Sequence, residues 1–179
     1  EVLELAGTSE VSHLGRSVKN VVETLPREVV FELDADALAG LVIDIVGLQE
    51  RRIVRVFEVA EPVGPWSTVF VYIPQARFES ALPDRIRELV EKHYGSESRD
   101  LRTLLGSSSL ARITMTVRSN PQVDLDRLGA AVDDVSTTWD ERAEAAIRDV
   151  LGDVAGRSTF AAVRDAIPSD YRARVAPEN

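Results

Sequence analysis

The hydrophobic period of this chain changes at Arg52, and that switch limits the fold more than any single motif does. Before it, apolar residues recur at helical spacing. Val18, Val21, Val22 and Leu25 stand at offsets 0, 3, 4 and 7, with Pro26 behind them. Leu38, Leu41, Val42, Ile45 and Val46 repeat the stripe after Asp34, a residue suited to cap a helix start, and Gly47 falls near its end. Val2, Leu3, Leu5 and Ala6 before Gly7 read as the end of a helix. Residues 1–50 are therefore expected to form a helical lead-in.

After Arg52 the period becomes two. Ile53 to Val59 and Thr68 to Ile73 are rich in β-branched and aromatic residues, and the cluster Glu61-Pro62-Val63-Gly64-Pro65 lies between them, which predicts a hairpin. Pro74 has no N–H for a ladder and should end the second strand. Ser80 is placed to cap a helix carrying Leu82, Ile86, Leu89, Val90 and Tyr94, closed by Gly95. Leu101 to Leu105 reads as a weaker strand, Gly106 to Ser109 as its turn, and Leu110 to Arg118 as the clearest strand. There Ala111, Ile113, Met115 and Val117 share one face, and Arg112, Thr114, Thr116 and Arg118 share the other. One face of the sheet is accordingly expected to be wet or to meet a polar partner.

Asp124 is suited to cap the next helix after Asn120-Pro121. Leu125, Leu128, Val132, Val135 and Trp139 follow a heptad seam that Ala143, Ala146 and Val150 prolong. Ser136-Thr137-Thr138 is a poor helix run, so both a continuous helix over 124–151 and a break at these residues stay open. A shorter helix is expected after Gly156, ending at Pro168, with Asp170 capping a final turn. The β-β-α-β-β-α order predicts an α+β sandwich, a four-stranded antiparallel sheet with helices on one face. The expected division is a lead-in over 1–50, the α+β domain over 51–139 and a C-terminal helical extension over 140–179.

Composition narrows the chemistry. Among 179 residues, 21 are basic and 30 acidic, a net charge of −9 that opposes approach to nucleic acid and anionic lipid. There is no cysteine, so disulfides and thiolate chemistry are excluded. No apolar run is long enough for a membrane span and no signal peptide opens the chain, which points to a cytoplasmic setting. Because residue 1 is glutamate, the chain reads as a piece of a longer polypeptide.

His13 and His93 lie far apart among polar neighbours, and HExxH, Walker A and GxGxxG motifs are absent. Neither a catalytic residue nor a metal ligand is assigned. Asp133-Asp134 and Asp140-Glu141 read as solvated helix faces. Arg51, Arg52 and Arg55 form the densest basic cluster. They suit either the negative end of a helix or a clamp for carboxylate or phosphate, and Arg77-Phe78 would add a wall to such a clamp. Arg51, Arg55 and Arg77 are the candidate ligand-binding residues.

The blocks Leu48-Gln49-Glu50-Arg51-Arg52, Val54-Arg55-Val56-Phe57 and Val71-Tyr72-Ile73-Pro74-Gln75-Ala76-Arg77-Phe78 resemble the amino-terminal regulatory region of the large bacterial NAD-specific glutamate dehydrogenases. Glu23 to Phe31, Leu82 to Leu89, Leu110 to Ile113, the Trp139 helix and Ile167-Pro168-Ser169-Asp170-Tyr171 extend the likeness, which runs from about His13 to Tyr171. Gly47 departs from the pattern, standing where a bulkier residue is usual. Gln75-Ala76 does so too, replacing a charged pair. The resemblance implies an ACT-like (ferredoxin-like) module associated with amino-acid sensing and subunit contacts. It implies a parent enzyme that converts L-glutamate to 2-oxoglutarate with NAD. It implies no cofactor in this stretch, because nothing here matches the family's catalytic or dinucleotide-binding portion. Implied partners are other domains and subunits of the same enzyme, with an amino-acid effector as a further possibility. A purely structural oligomerisation module with no small-molecule ligand is the alternative.

Overall fold

The computed structural model describes residues 2–9, 11–51, 53–106, 108–172, 174–175 and 177, and gives only the backbone for Gln49, Glu50 and Ser169. Two compact units emerge, Glu1–Val135 and Ser136–Asn179. The first contains α1 (Val2–Leu5), α2 (His13–Thr24), α3 (Arg27–Glu32) and α4 (Ala35–Arg51), then β1 (Arg55–Ala60) and β2 (Trp66–Pro74). A 3-10 turn at Gln75–Arg77 leads to α5 (Leu82–Tyr94), β3 (Arg99–Leu104), β4 (Leu110–Arg118) and α6 (Leu125–Ser136).

Local chemistry sets the ends of these elements. Ser12 Oγ accepts from the Gly15 N–H at 2.8 Å to open α2, and Asp34 Oδ1 accepts from the Ala37 N–H at 2.8 Å to open α4. Asp124 Oδ1 accepts from the N–H groups of Asp126 and Arg127, both at 3.0 Å, ahead of α6. The expected Ser80 cap is corrected: Ala81 holds the N-cap of α5 with no side-chain hydrogen bond. Proline in the first turn suits that start, because an N–H there would have no helical partner. Gly95 closes α5 at φ +68, a left-handed conformation that glycine adopts without a Cβ clash.

The sheet is antiparallel throughout, with strand order β1-β2-β4-β3. It is the α+β architecture the strand and helix order predicts. β2 and β4 pair from Trp66↔Arg118 to Pro74↔Leu110, so Pro74 ends the strand as its missing N–H requires. Alternation along the strands sends side chains into two cores. Val56, Val69, Val71, Ile73, Ala111, Ile113, Met115 and Val117 face α5 and α6, where they meet Leu82, Ile86, Val90, Leu128 and Val132. Val59, Phe70, Tyr72 and Leu110 face the other way, onto Val18, Val21 and Leu25 of the α2 end, Val29 of α3, and Leu38, Val42 and Ile45 of α4.

The expectation of helices on one face and a wet opposite face is therefore corrected. The lead-in helices pack on the second face, because Phe70 and Tyr72 leave that side of the central strand apolar. Arg112, read as a wet-face residue, is only 8% exposed. The short helix α3 was not anticipated in the sequence.

The second unit holds α7 (Trp139–Leu151), α8 (Asp153–Val163), a 3-10 turn at Arg164–Ala166 and α9 (Ser169–Arg172). The helix over 124–151 is broken. Thr138 takes the N-cap of α7 in a capping box, its hydroxyl accepting from the Glu141 N–H while the Glu141 carboxylate accepts from the Thr138 N–H. α8 starts at Asp153, ahead of Gly156, which corrects the expected start. Gly156 is enclosed, since a Cβ there would lie 2.6 Å from Arg148 Cα. Trp139 donates its indole N–H to Val175 O at 2.7 Å and meets Tyr171 edge-on, which makes it a packing residue.

Candidate functional site

Arg55 sits on β1, and β1 lies at the edge of the sheet facing the start of α6. Its Nη1 donates to Asp126 Oδ1 at 2.9 Å. Arg77 ends the 3-10 turn after β2, and its Nη1 donates to Asp133 Oδ1 at 2.6 Å. Asp126 and Asp133 are seven residues apart, two turns of one helix, so both carboxylates project from a single side of α6. These four side chains line a cleft of about 380 Å³ with Val54, Leu125, Gly129 and Ala130. Gly129 and Ala130 are small, which leaves the wall of α6 recessed between its two acids.

The structure thus brings two of the three candidate arginines together. Arg51, the last residue of α4, is exposed and does not line this cleft. Arg52 lies outside the described residues. The Arg55–Asp126 pair is open to water, with the side chains 52% and 81% exposed, whereas the Arg77 side chain is only 18% exposed. Shielding strengthens an ion pair, so Arg77–Asp133 is the tighter of the two. The cleft presents cations from β1 and the 3-10 turn opposite anions from α6. It suits a small molecule that carries both signs of charge.

Asp133 reads in the sequence as part of a solvated helix face, and Asp126 is not singled out there. Their seven-residue spacing was the available signal, and it means little until Arg55 and Arg77 are placed opposite. His93 Nδ1 lies 2.8 Å from Leu89 O, an intrahelical contact. Among the described residues no cluster of three potential metal ligands occurs, and no helix is long and apolar enough to cross a membrane.

Comparison with known proteins places these observations. Residues 55–140 match the model of the glutamate dehydrogenase ACT2 domain, and residues 1–51 match glutamate dehydrogenase helical motif 1. Over 99% of its length the chain is 28% identical to the NAD-specific glutamate dehydrogenase of Pseudomonas aeruginosa. Over 96% it is 29% identical to that of Halomonas elongata, and over 77% it is 26% identical to that of Mycobacterium tuberculosis. The chain spans 11%, 11% and 8% of those proteins respectively.

Proposed function

We propose that this chain, which belongs to the glutamate dehydrogenase family and carries its ACT2 domain and helical motif 1, is a non-catalytic module for assembly and amino-acid control of a large NAD-specific enzyme. The parent reaction on this reading is oxidative deamination of L-glutamate to 2-oxoglutarate with NAD, in the cytoplasm. NAD and the reacting groups belong to other parts of that enzyme, and its other domains and subunits are the partners of this module.

The observation that carries the reading is the cleft of opposed charges. An amino acid supplies a carboxylate for Arg55 and Arg77 and an ammonium for Asp126 and Asp133. Entering the cleft, it competes with one of the ion pairs and loosens the hold of α6 on β1 or on the 3-10 turn. A ligand that favours the loosened arrangement shifts the enzyme toward it by its differential affinity, which is what allosteric control requires. Arg51 adds positive charge at the end of α4 and no wall to the cleft.

Calorimetry on the chain with glutamate, aspartate and leucine tests this. Saturable heat with at least one of them, lost in Arg77→Ala, is expected. A second reading, pure architecture, is favoured by the same two ion pairs, which already satisfy both arginines and clamp α6. Arg55→Glu in the full-length enzyme separates the two. A changed oligomer mass with unaltered effector response supports architecture, and a lost effector response supports control.

A further inference from the structure

On the opposite face of the sheet a second opening of about 560 Å³ lies between β2, β3 and β4 below and α3 above. Arg112 closes one end. Its Nη2 donates to Thr24 O at 2.5 Å, at the C-terminal end of α2, and its guanidinium stands 5.8 Å over the Phe70 ring. The Tyr72 hydroxyl is a second hydrogen-bond partner of the guanidinium, while Nε is buried and meets no acceptor, and no ion pair of Arg112 occurs among the described residues. A buried arginine normally has a counter-charge, because burying the guanidinium alone is costly. Arg112 also borders a smaller hollow of about 120 Å³ beside Tyr72, so cavities adjoin this side chain on two sides.

The far end of the groove carries the opposite sign. Strand register runs from Tyr72↔Arg112 through Phe70↔Thr114 to Thr68↔Thr116. Four residues at roughly 3.3 Å each set Thr116 about 13 Å from Arg112 along the strand. Asp100 lines that end, held at φ +55 where the pairing of β3 with β4 shifts between Arg99 and Arg102. Glu28 and Glu32, one helical turn apart on α3, line the same opening. Thr103, Thr114 and a second cation, Arg102, which stands opposite Thr114 in the strand register, line the opening between the two ends.

We infer that this groove binds a small amphoteric molecule whose carboxylate and amine are separated along a chain, the carboxylate on Arg112 and the amine among Glu28, Glu32 and Asp100. The lining acids outnumber the cations, which disfavours dicarboxylates and phosphates. The buried Arg112 disfavours diamines. The inference is independent of the Arg55–Arg77 cleft, which lies on the other side of the sheet.

The test is amide chemical-shift mapping on the 179-residue chain with 6-aminohexanoate, hexanoate and hexylamine as probes. 6-Aminohexanoate should move the Thr103, Thr114 and Thr116 amides saturably, and the two single-charge probes should bind at least about tenfold more weakly, as loss of a charged hydrogen bond dictates. Arg112→Met should abolish the shifts. Glu28→Gln with Glu32→Gln, on an exposed helix face, should keep the thermal midpoint and weaken binding about fivefold. That pair decides the matter if Arg112→Met fails to fold. Absence of saturable shifts, equal binding of hexylamine, shifts confined to the Arg55–Arg77 cleft, or an unaffected Glu28→Gln/Glu32→Gln double variant would each overturn the inference.

Discussion

On the α5/α6 face of the sheet, Arg55 and Arg77 meet Asp126 and Asp133 at the rim, where water reaches both pairs. On the α2–α4 face, Arg112 lies beneath the helices with the Thr24 carbonyl and the Tyr72 hydroxyl as partners and no carboxylate. Both faces bury an apolar set against β1, β2 and β4, so the difference is not one of packing. It lies in how charge is balanced. The first face is closed by its own residues and opens only if something competes with them. The second buries a cation without a carboxylate beside it. The two faces thus balance charge by opposite means, ion pairs at the rim on one side and neutral hydrogen-bond partners beneath the helices on the other.

The comparison breaks first if the two cores are unequal. Phe70→Ala on the lead-in face should cost about 3–5 kcal/mol, and Ile113→Ala on the α5/α6 face about 2–5 kcal/mol, both read by urea denaturation. A negligible loss for Phe70→Ala would mean that the lead-in helices are dispensable and that the sheet has one real core. Next in size is Glu91 on α5. Its carboxylate accepts from the Ser98 N–H at 2.9 Å and the Ser98 hydroxyl at 2.7 Å, tying the approach to β3 onto the helix. Those bonds hold the Glu91 carboxyl below its ordinary value. Its contribution is thus present at and above the usual carboxylate range and is lost as pH falls through the lowered value. Glu91→Gln should cost about 1 kcal/mol at neutral pH and flatten the acid side of the stability profile. A profile unchanged by the substitution would remove Glu91 from the account of acid sensitivity.

The smallest effects sharpen the picture of the rim. Arg77→Ala should destabilise by about 1 kcal/mol and Arg55→Ala by less than about 0.5 kcal/mol, because shielding separates the two pairs. Raising salt should lower the cost of Arg55→Ala more than that of Arg77→Ala and so widen the gap between them. Equal costs would show that both contacts are surface pairs with no clamping role.

Much of this fold could be read from the residues, and the reason is local. Leu110 to Arg118 alternates without a slip, Pro74 and Gly95 punctuate, and Asp34 and Asp124 cap where their side chains suggest. Ser136-Thr137-Thr138 marked the helix break without deciding it, since the capping box that settles it also needs Glu141 one turn on. The covering of the second face was missed although Val69-Phe70-Val71-Tyr72-Ile73 carries its signature. A strand with no polar alternation is buried on both sides. At the cleft, Arg55 and Arg77 were identifiable as cations of suitable chemistry. Their partners were not, because the pairs join positions 71 and 56 residues apart. Arg112 was hidden by its own neighbours: Thr114, Thr116 and Arg118 share its parity and do remain partly open. Alternation assigns a side of the sheet, and it cannot say what lies above each position.

One consequence follows from β2. Its odd-numbered residues Val69, Val71 and Ile73 belong to one core and its even-numbered Phe70 and Tyr72 to the other. Sliding this strand by a single position would swap the contents of both interiors simultaneously, so each interior proofreads the alignment of the other. The sheet is on that account a rigid bulkhead between its two helical layers.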